Sequence, residues 1–169
     1  MALRGLHPVV EIMFGDFVTL AADQIINHIA KFRWMYNEQV RLPLTIRTPM
    51  GGRRGYGPTH SQTLEKLYLG VPGLTVVAPN HFNINEDGEP GQFLSRLILE
   101  SNSPVLFIEN KLQYLFPLKT SQDLADFELR ETFEVSDSAL LFPIRELTNR
   151  GGPAPVCTVS AYGYMSGGC

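Results

Sequence analysis

Val9-Val-Glu-Ile-Met-Phe-Gly-Asp-Phe17 opens as an apolar run with one polar interruption and breaks at Gly15-Asp16. A run of that length ending on glycine has the form of a short buried strand over 9–14 that stops at a turn. Past the turn the apolar spacing changes. Leu20, Ile25, Ile29 and Phe32 return every three to five residues, which predicts a helix over 17–32 with these four on its inner face. Strand-like runs recur at 41–47, at 74–78 (Leu-Thr-Val-Val-Ala) and at 104–109 (Pro-Val-Leu-Phe-Ile-Glu). Between the last two, residues 92–100 read as a helix with Phe93, Leu94, Leu97 and Ile98 inward. Residues 61–68 fit a shorter helix with Ser61 or Thr59 as its cap, and Asp16 is placed to cap the helix it precedes. Strands that alternate with helices at this interval predict an α/β domain, a mostly parallel sheet with helices on both faces.

The chain has 169 residues, 44% hydrophobic and 18% charged, a balance that supports one packed core and excludes a disordered chain. A net charge of −3 leaves no basic footprint for nucleic acid. Its apolar runs are strand length, far short of the roughly 20 residues that span a bilayer, so no membrane partner is expected. No apolar leader with a small-residue cleavage site opens the chain, and Cys157 and Cys169 make no disulfide framework. A cytoplasmic protein is the expectation. His7, His28, His60 and His81 are scattered and no Cys-x-x-Cys occurs, so ligand spacing predicts no metal site.

The organisation divides at two points. Residues 1–113 carry the α/β pattern, within which the polar stretch 80–91 reads as a surface loop. Residues 114–155 lose the pattern and mix acidic residues with Pro117, Pro143 and Pro153, in the manner of an interdomain connector. Residues 156–169 start a fresh strand, Val156-Cys-Thr-Val-Ser-Ala-Tyr162, with little after it. That ending predicts a truncated second domain.

Thr48 to His60 holds Pro49, Gly51, Gly52, Gly55, Gly57 and Pro58, which describes a loop shaped in detail rather than a linker. It leaves the carboxyl end of a strand, as Met13 to Phe17 does, and open parallel sheets bind ligands in crevices outside those ends. The loop delivers His60, Ser61 and Gln62 together. An imidazole titrates near neutrality and can move protons, whereas Ser61 and Gln62 suit the task of orienting the loop. Arg47, Arg53 and Arg54 match a carboxylate or phosphate, or simply a solvated loop surface.

These stretches carry a resemblance. Gly-Leu-x-Pro-Val-Val-Glu-Ile-Met-Phe-x-Asp-Phe from Gly5, Ala-x-Asp-Gln-Ile-Ile-Asn from Ala21 and Pro-Leu-x-Ile-Arg-x-Pro from Pro43 are followed by Gly-Pro-x-His-Ser-Gln from Gly57 and Gly-Leu-x-Val-Val-x-Pro from Gly73. In that order, over residues 5–112, they resemble the pyrimidine-binding domain of transketolase-like thiamine-diphosphate enzymes. The set is most similar to the beta subunits of 2-oxoacid dehydrogenases and more distantly similar to the central region of transketolases. Val-Ser-Ala-Tyr-Gly-Tyr from Val159 resembles the first strand of that family's C-terminal domain.

The resemblance implies a cofactor, thiamine diphosphate, whose pyrimidine lies against this chain while an alpha-type partner holds the diphosphate and Mg2+. Met13 matches a methionine beside the aminopyrimidine, Phe17 an aromatic ring that stacks on it, and His60 a catalytic histidine facing the cofactor and the lipoyl arm. The implied activity is oxidative decarboxylation of a 2-oxoacid with acyl transfer, in a homo- or hetero-oligomer that serves a lipoyl acyltransferase. Two other readings are a transketolase or deoxyxylulose-phosphate-synthase type of transferase, and a non-catalytic assembly module. Some members hold a monovalent cation near the position of Leu44 and the segment 98–103, where an aspartate and an asparagine usually contribute; Ser101 and Ser103 stand there in this chain. The family's glutamate that exchanges a proton with the aminopyrimidine lies upstream of the first strand and no residue here matches it, so the chain alone is expected to be inactive.

Overall fold

Four apolar runs too short for helices lie side by side as parallel strands. The computed structural model describes residues 1–82, 90–134 and 142–151, and places β1 (Val9–Glu11), β2 (Thr45–Met50), β3 (Thr75–Val77) and β4 (Val105–Asn110) in the order β1-β2-β4-β3. Register sets Ile46 opposite both Val10 and Leu106, and Val76 opposite Leu106. Because side chains alternate across a strand, Ile46, Met50, Leu106 and Ile108 share one face, packed by Val18, Ile25 and Tyr68. Val77, Val105 and Phe107 share the other, covered by Leu97, Phe93 and Leu94 of the helix Pro90–Glu100. Both faces are covered, as the α/β reading requires. Tyr68 is fully buried, and its hydroxyl donates to the Val18 carbonyl at 2.8 Å, so the deepest aromatic in the core carries no unsatisfied polar atom.

Several local expectations are corrected. The first strand is three residues long and not buried: Val9 and Val10 are each 45% exposed, because β1 sits at the end of the sheet with a neighbour on one side only. The single helix over 17–32 is instead three short pieces, a 3₁₀ segment Gly15–Ala21, a π-helical turn Gln24–Ile29 and one α-helical turn Phe32–Met35. Each change of winding rotates the following residues about the axis. Ile25 therefore turns into the core at 1% exposure while Leu20 is left 86% exposed. The next strand begins at Thr45 rather than at residue 41, where the Thr45 N–H first donates across to Pro8.

The expected helix over 61–68 is one 3₁₀ turn, Glu65–Leu67, with Leu64 before it and no side-chain cap. Residues 114–155, read as an interdomain connector, hold strands that the fading pattern did not indicate. They contain β5 (Phe127–Glu134) paired antiparallel with β6 (Phe142–Asn149), a register that faces Arg130 with Glu146. The fresh strand at 156–162, both cysteines and most of the 80–91 loop lie outside the described residues.

Two contacts fix the segments after the strands. Gly73 has φ +82°, and a Cβ there would lie 2.0 Å from the Ala30 carbonyl oxygen, so the turn before β3 seats backbone to backbone on the end of the π-helical turn. After β3, His81 is 7% exposed, stacks on Phe82 and meets the edge of Phe116, while its carbonyl accepts from the Lys119 N–H at 2.8 Å. Its Nδ1 has no hydrogen-bond partner among the described residues.

Ile25→Ala is expected to cost about 2–5 kcal/mol in urea unfolding, and Leu20→Ala less than about 0.5 kcal/mol; equal losses would restore the single-helix reading. Burial, aided by the nearby Lys119, holds His81 below its usual pKa of 6.5. The unfolded chain then takes up protons that the folded chain refuses, so His81 makes stability fall as pH drops below 6.5. Thermal unfolding between pH 7.5 and 5 reads this slope, and His81→Phe should flatten it; an unchanged slope would remove His81 as its source.

Candidate functional site

Three chain segments leave the carboxyl ends of three adjacent strands and meet. Phe14 to Phe17 follows β1, Gly51 to Gln62 follows β2, and Lys111 follows β4. The long segment is closed at its base, where the Gly51 N–H donates to the Gln62 carbonyl at 3.2 Å. Its closure against the sheet depends on a glycine: a Cβ on Gly15 would fall 2.2 Å from Met50 Cγ. Met50 is buried there, and its sulfur accepts from the Leu64 N–H at 3.4 Å.

The rings collect around Phe14. Its centroid lies 4.6 Å from that of His60, 5.5 Å from Tyr56 and 5.8 Å from Phe17, all edge to face. Phe17 and His60 also meet edge to face at 5.2 Å. Each such pair contributes about 0.5–1.5 kcal/mol beyond area burial. The Lys111 ammonium lies 4.7 Å from the Phe14 centroid and 5.4 Å from that of Tyr56, a cation–π arrangement worth about 0.5–2 kcal/mol. Lys111 is only 5% exposed, and its Nζ donates to the His60 carbonyl. Burial lowers its pKa and Arg54 pushes the same way, with the Asp16 carboxylate opposing.

Asp16 is buried and does not cap the helix after it. Its Oδ1 accepts from the Gln62 side-chain amide at 2.7 Å and from the Gln62 N–H at 3.4 Å, so this carboxylate anchors the far end of the loop. His60 is half-buried, and its Nδ1 lies 2.9 Å from the Thr59 hydroxyl. Thr59 thus serves the imidazole rather than a helix cap.

The structure brings Phe17 and His60 together and leaves Met13 apart, 69% exposed and outside the ring cluster. Arg47 is not free for an anion. Its Nη1 lies 3.0 Å from Glu11 and its Nε 2.8 Å from Glu109, which also accepts from the Tyr114 hydroxyl at 2.7 Å. Burial alone would lower the Arg47 pKa; Glu109, Tyr114 and Glu11 together outweigh it and the net shift is upward. Arg54 donates to the Lys111 carbonyl at 3.3 Å, and Arg53 is exposed. Ser101 donates to the Ser103 carbonyl at 2.8 Å. Sequence reasoning missed Phe14, Tyr56 and Lys111, and it missed the tertiary role of Asp16. Phe14 lies inside the motif that pointed to Phe17, and Lys111 stands as a lone cation directly after a strand. Among the described residues, no group of three or more His, Cys, Asp or Glu could hold a metal ion, and no helix is long and apolar enough to cross a membrane.

Residues 1–115 match the family described as transketolase, pyrimidine binding domain. The chain belongs to this family. Among its relatives, the acetoin:2,6-dichlorophenolindophenol oxidoreductase subunit beta of Bacillus subtilis is 39% identical over 113 residues, covering 67% of this chain and 31% of that protein. The pyruvate dehydrogenase E1 component subunit beta-2 of Oryza sativa subsp. japonica is 34% identical over 168 residues, 98% of this chain and 39% of its own length. The 2-oxoisovalerate dehydrogenase subunit beta of Pseudomonas aeruginosa is 32% identical over 167 residues, 98% and 46% respectively. The chain therefore spans less than half the length of each of these relatives. The pyrimidine-binding family is one of thiamine-diphosphate-dependent enzymes, and its matched region contains both segments of the ring cluster and Lys111.

Arg47→Met leaves the Glu109 carboxylate, 14% exposed, without its cation and is expected to cost about 1–3 kcal/mol in urea unfolding. Adding Glu109→Gln should recover part of that loss; a strictly additive double mutant would mean the pair is not coupled.

Proposed function

We propose that this chain supplies the pyrimidine side of a thiamine-diphosphate site in a 2-oxoacid dehydrogenase of the beta-subunit type. One observation carries the reading. Phe14, Phe17, Tyr56 and His60 form a partly exposed aromatic surface at the carboxyl ends of two adjacent parallel strands, β1 and β2, with the Lys111 ammonium after β4 against it. The relatives named as beta subunits of acetoin, pyruvate and 2-oxoisovalerate enzymes support it.

The residues fit the group. A flat heteroaromatic ring is held by apolar faces and ring edges, and the cluster presents both. Diphosphate with Mg2+ calls for oxygen ligands and cations, which fits their being held by an alpha-type partner. When bound, thiamine diphosphate supplies the carbon centre that attacks a 2-oxoacid and holds the electron pair released on decarboxylation. This chain's own work is narrower. Phe17 and Phe14 shield the ring from water and fix its plane. Thr59 occupies Nδ1 of His60, which leaves Nε2 to exchange a proton with the acyl acceptor. The pairing of Arg47 with Glu11 and Glu109 leaves less for a sugar phosphate to bind, which favours the dehydrogenase over the transferase reading.

Calorimetric titration of thiamine diphosphate with Mg2+ into the chain, alone and in complex with an alpha-type subunit, tests the proposal. Binding is expected only in the complex, and Phe17→Ala is expected to weaken it by roughly two- to tenfold. No binding in a complex that demonstrably assembles would leave the non-catalytic assembly module as the better reading.

A further inference from the structure

We infer that Lys111 is the positioning residue of this site, holding the 51–62 loop, and with it the His60 imidazole, against the sheet through its charge. The inference rests on His60 being a site residue, as proposed above, and deepens that reading.

The connection runs in both directions. The Lys111 main chain is fixed to the sheet, where its N–H donates to the Met50 carbonyl at 3.0 Å. Its side chain then crosses to the loop and donates to the His60 carbonyl. The loop answers with Arg54, whose guanidinium donates to the Lys111 carbonyl at 3.3 Å. Between these two links lie the Phe14 and Tyr56 rings, one from each flanking segment, both within reach of the ammonium.

Beyond the ring contacts of Tyr56 and His60, little else among the described residues holds the loop crest. Residues 53–59 are exposed, and Arg53, Gly55 and Gly57 have positive φ angles. The Gly57–His60 turn is closed by a long 3.4 Å bond from the His60 N–H. A loop with few buried contacts opens easily unless a strong local interaction closes it, and a charge-assisted hydrogen bond in a water-poor setting is such an interaction. Asp16 secures the loop's end at Gln62, two residues past His60. Lys111 is the side chain from outside the loop that reaches the His60 carbonyl among the described residues. The groups around the ammonium are Asp16, Arg54, Phe14, Tyr56 and the His60 carbonyl. They supply one carboxylate and one competing cation, so the ring faces and the carbonyl carry much of the stabilisation of the charge.

Hydrogen–deuterium exchange on the full chain, read together with the His60 imidazole resonances, tests this. In Lys111→Met, exchange over 53–61 is expected to rise roughly tenfold or more while amides of Ile46 and Leu106 keep their protection. The His60 resonances, displaced by the ring currents of Phe14 and Phe17, are expected to shift toward free imidazole. Lys111→Arg, which keeps charge and donors, should restore both readouts in large part, and Lys111→Gln, which keeps a donor without the charge, should not. Unchanged loop exchange in the Met variant would overturn the inference. So would loss of protection throughout the sheet in both the Met and Gln variants, since Lys111 would then support the core rather than the loop. Cofactor titration can fail while the loop responds to these substitutions, and the converse, so this inference and the functional reading fall separately.

Discussion

One guanidinium links three adjacent strands. Arg47 stands midway along β2, with Glu11, the last residue of β1, to one side and Glu109, near the carboxyl end of β4, to the other. The two pairs are unequal. Glu11 is 63% exposed, so water and salt screen its share; Glu109 is 14% exposed and carries the stronger interaction. Main-chain hydrogen bonds set the register of parallel strands; the pairing of β1 with β2 stops at Glu11 and Arg47, whereas β2 and β4 stay paired to Met50 and Asn110. A planar, permanently charged group with several donors suits that place, because it ties the short edge strand and β4 to β2 through side chains in addition to the backbone pairing. The relative positions of Phe14, the glycine loop and Lys111 follow from those ties.

The site shows a division of labour. Rigid parts supply position: β2 ends at the buried Met50, and β4 delivers Lys111 after four fully apolar, buried residues, Val105 to Ile108. The loop carries the His60 imidazole, and it is tied down at few points among the described residues. Phe14 is the common neighbour of Phe17, Tyr56, His60 and the Lys111 ammonium, so its ring converts three separate segments into one surface. That surface is partly open, a property in keeping with a ligand held between two protein components.

The parallel sheet, its carboxyl-end loops and the placing of Phe17 and His60 on those loops were legible because each rests on local signals: short apolar runs, clustered glycines and two short motifs. The helical reading of 17–32 failed because apolar spacing of three to five residues does not distinguish 3₁₀, α and π winding, and Leu20 shows the result. The hairpin of 127–149 did carry a signal. Phe127 and Leu129 alternate with Glu128 and Arg130, the pattern of a strand with one polar face, but the prolines around it masked the pattern. Asp16 and Lys111 were beyond sequence reasoning for a different reason. Their partners lie 46 and 51 residues away, and nothing in a local window distinguishes a carboxylate that caps from one that anchors a distant loop.

The seat of Gly73 on Ala30 has a consequence for how this sequence can drift. At most surface turns a glycine can be exchanged at modest cost, and neighbouring residues adjust over generations. Here the obstacle is a carbonyl oxygen of the main chain, which no change of side chain at position 30 can move aside. Substitution at 73 is therefore closed whatever residue accompanies it, and the one route open to descendants is to rebuild the π-helical turn itself. The two segments are bound to vary together or not at all.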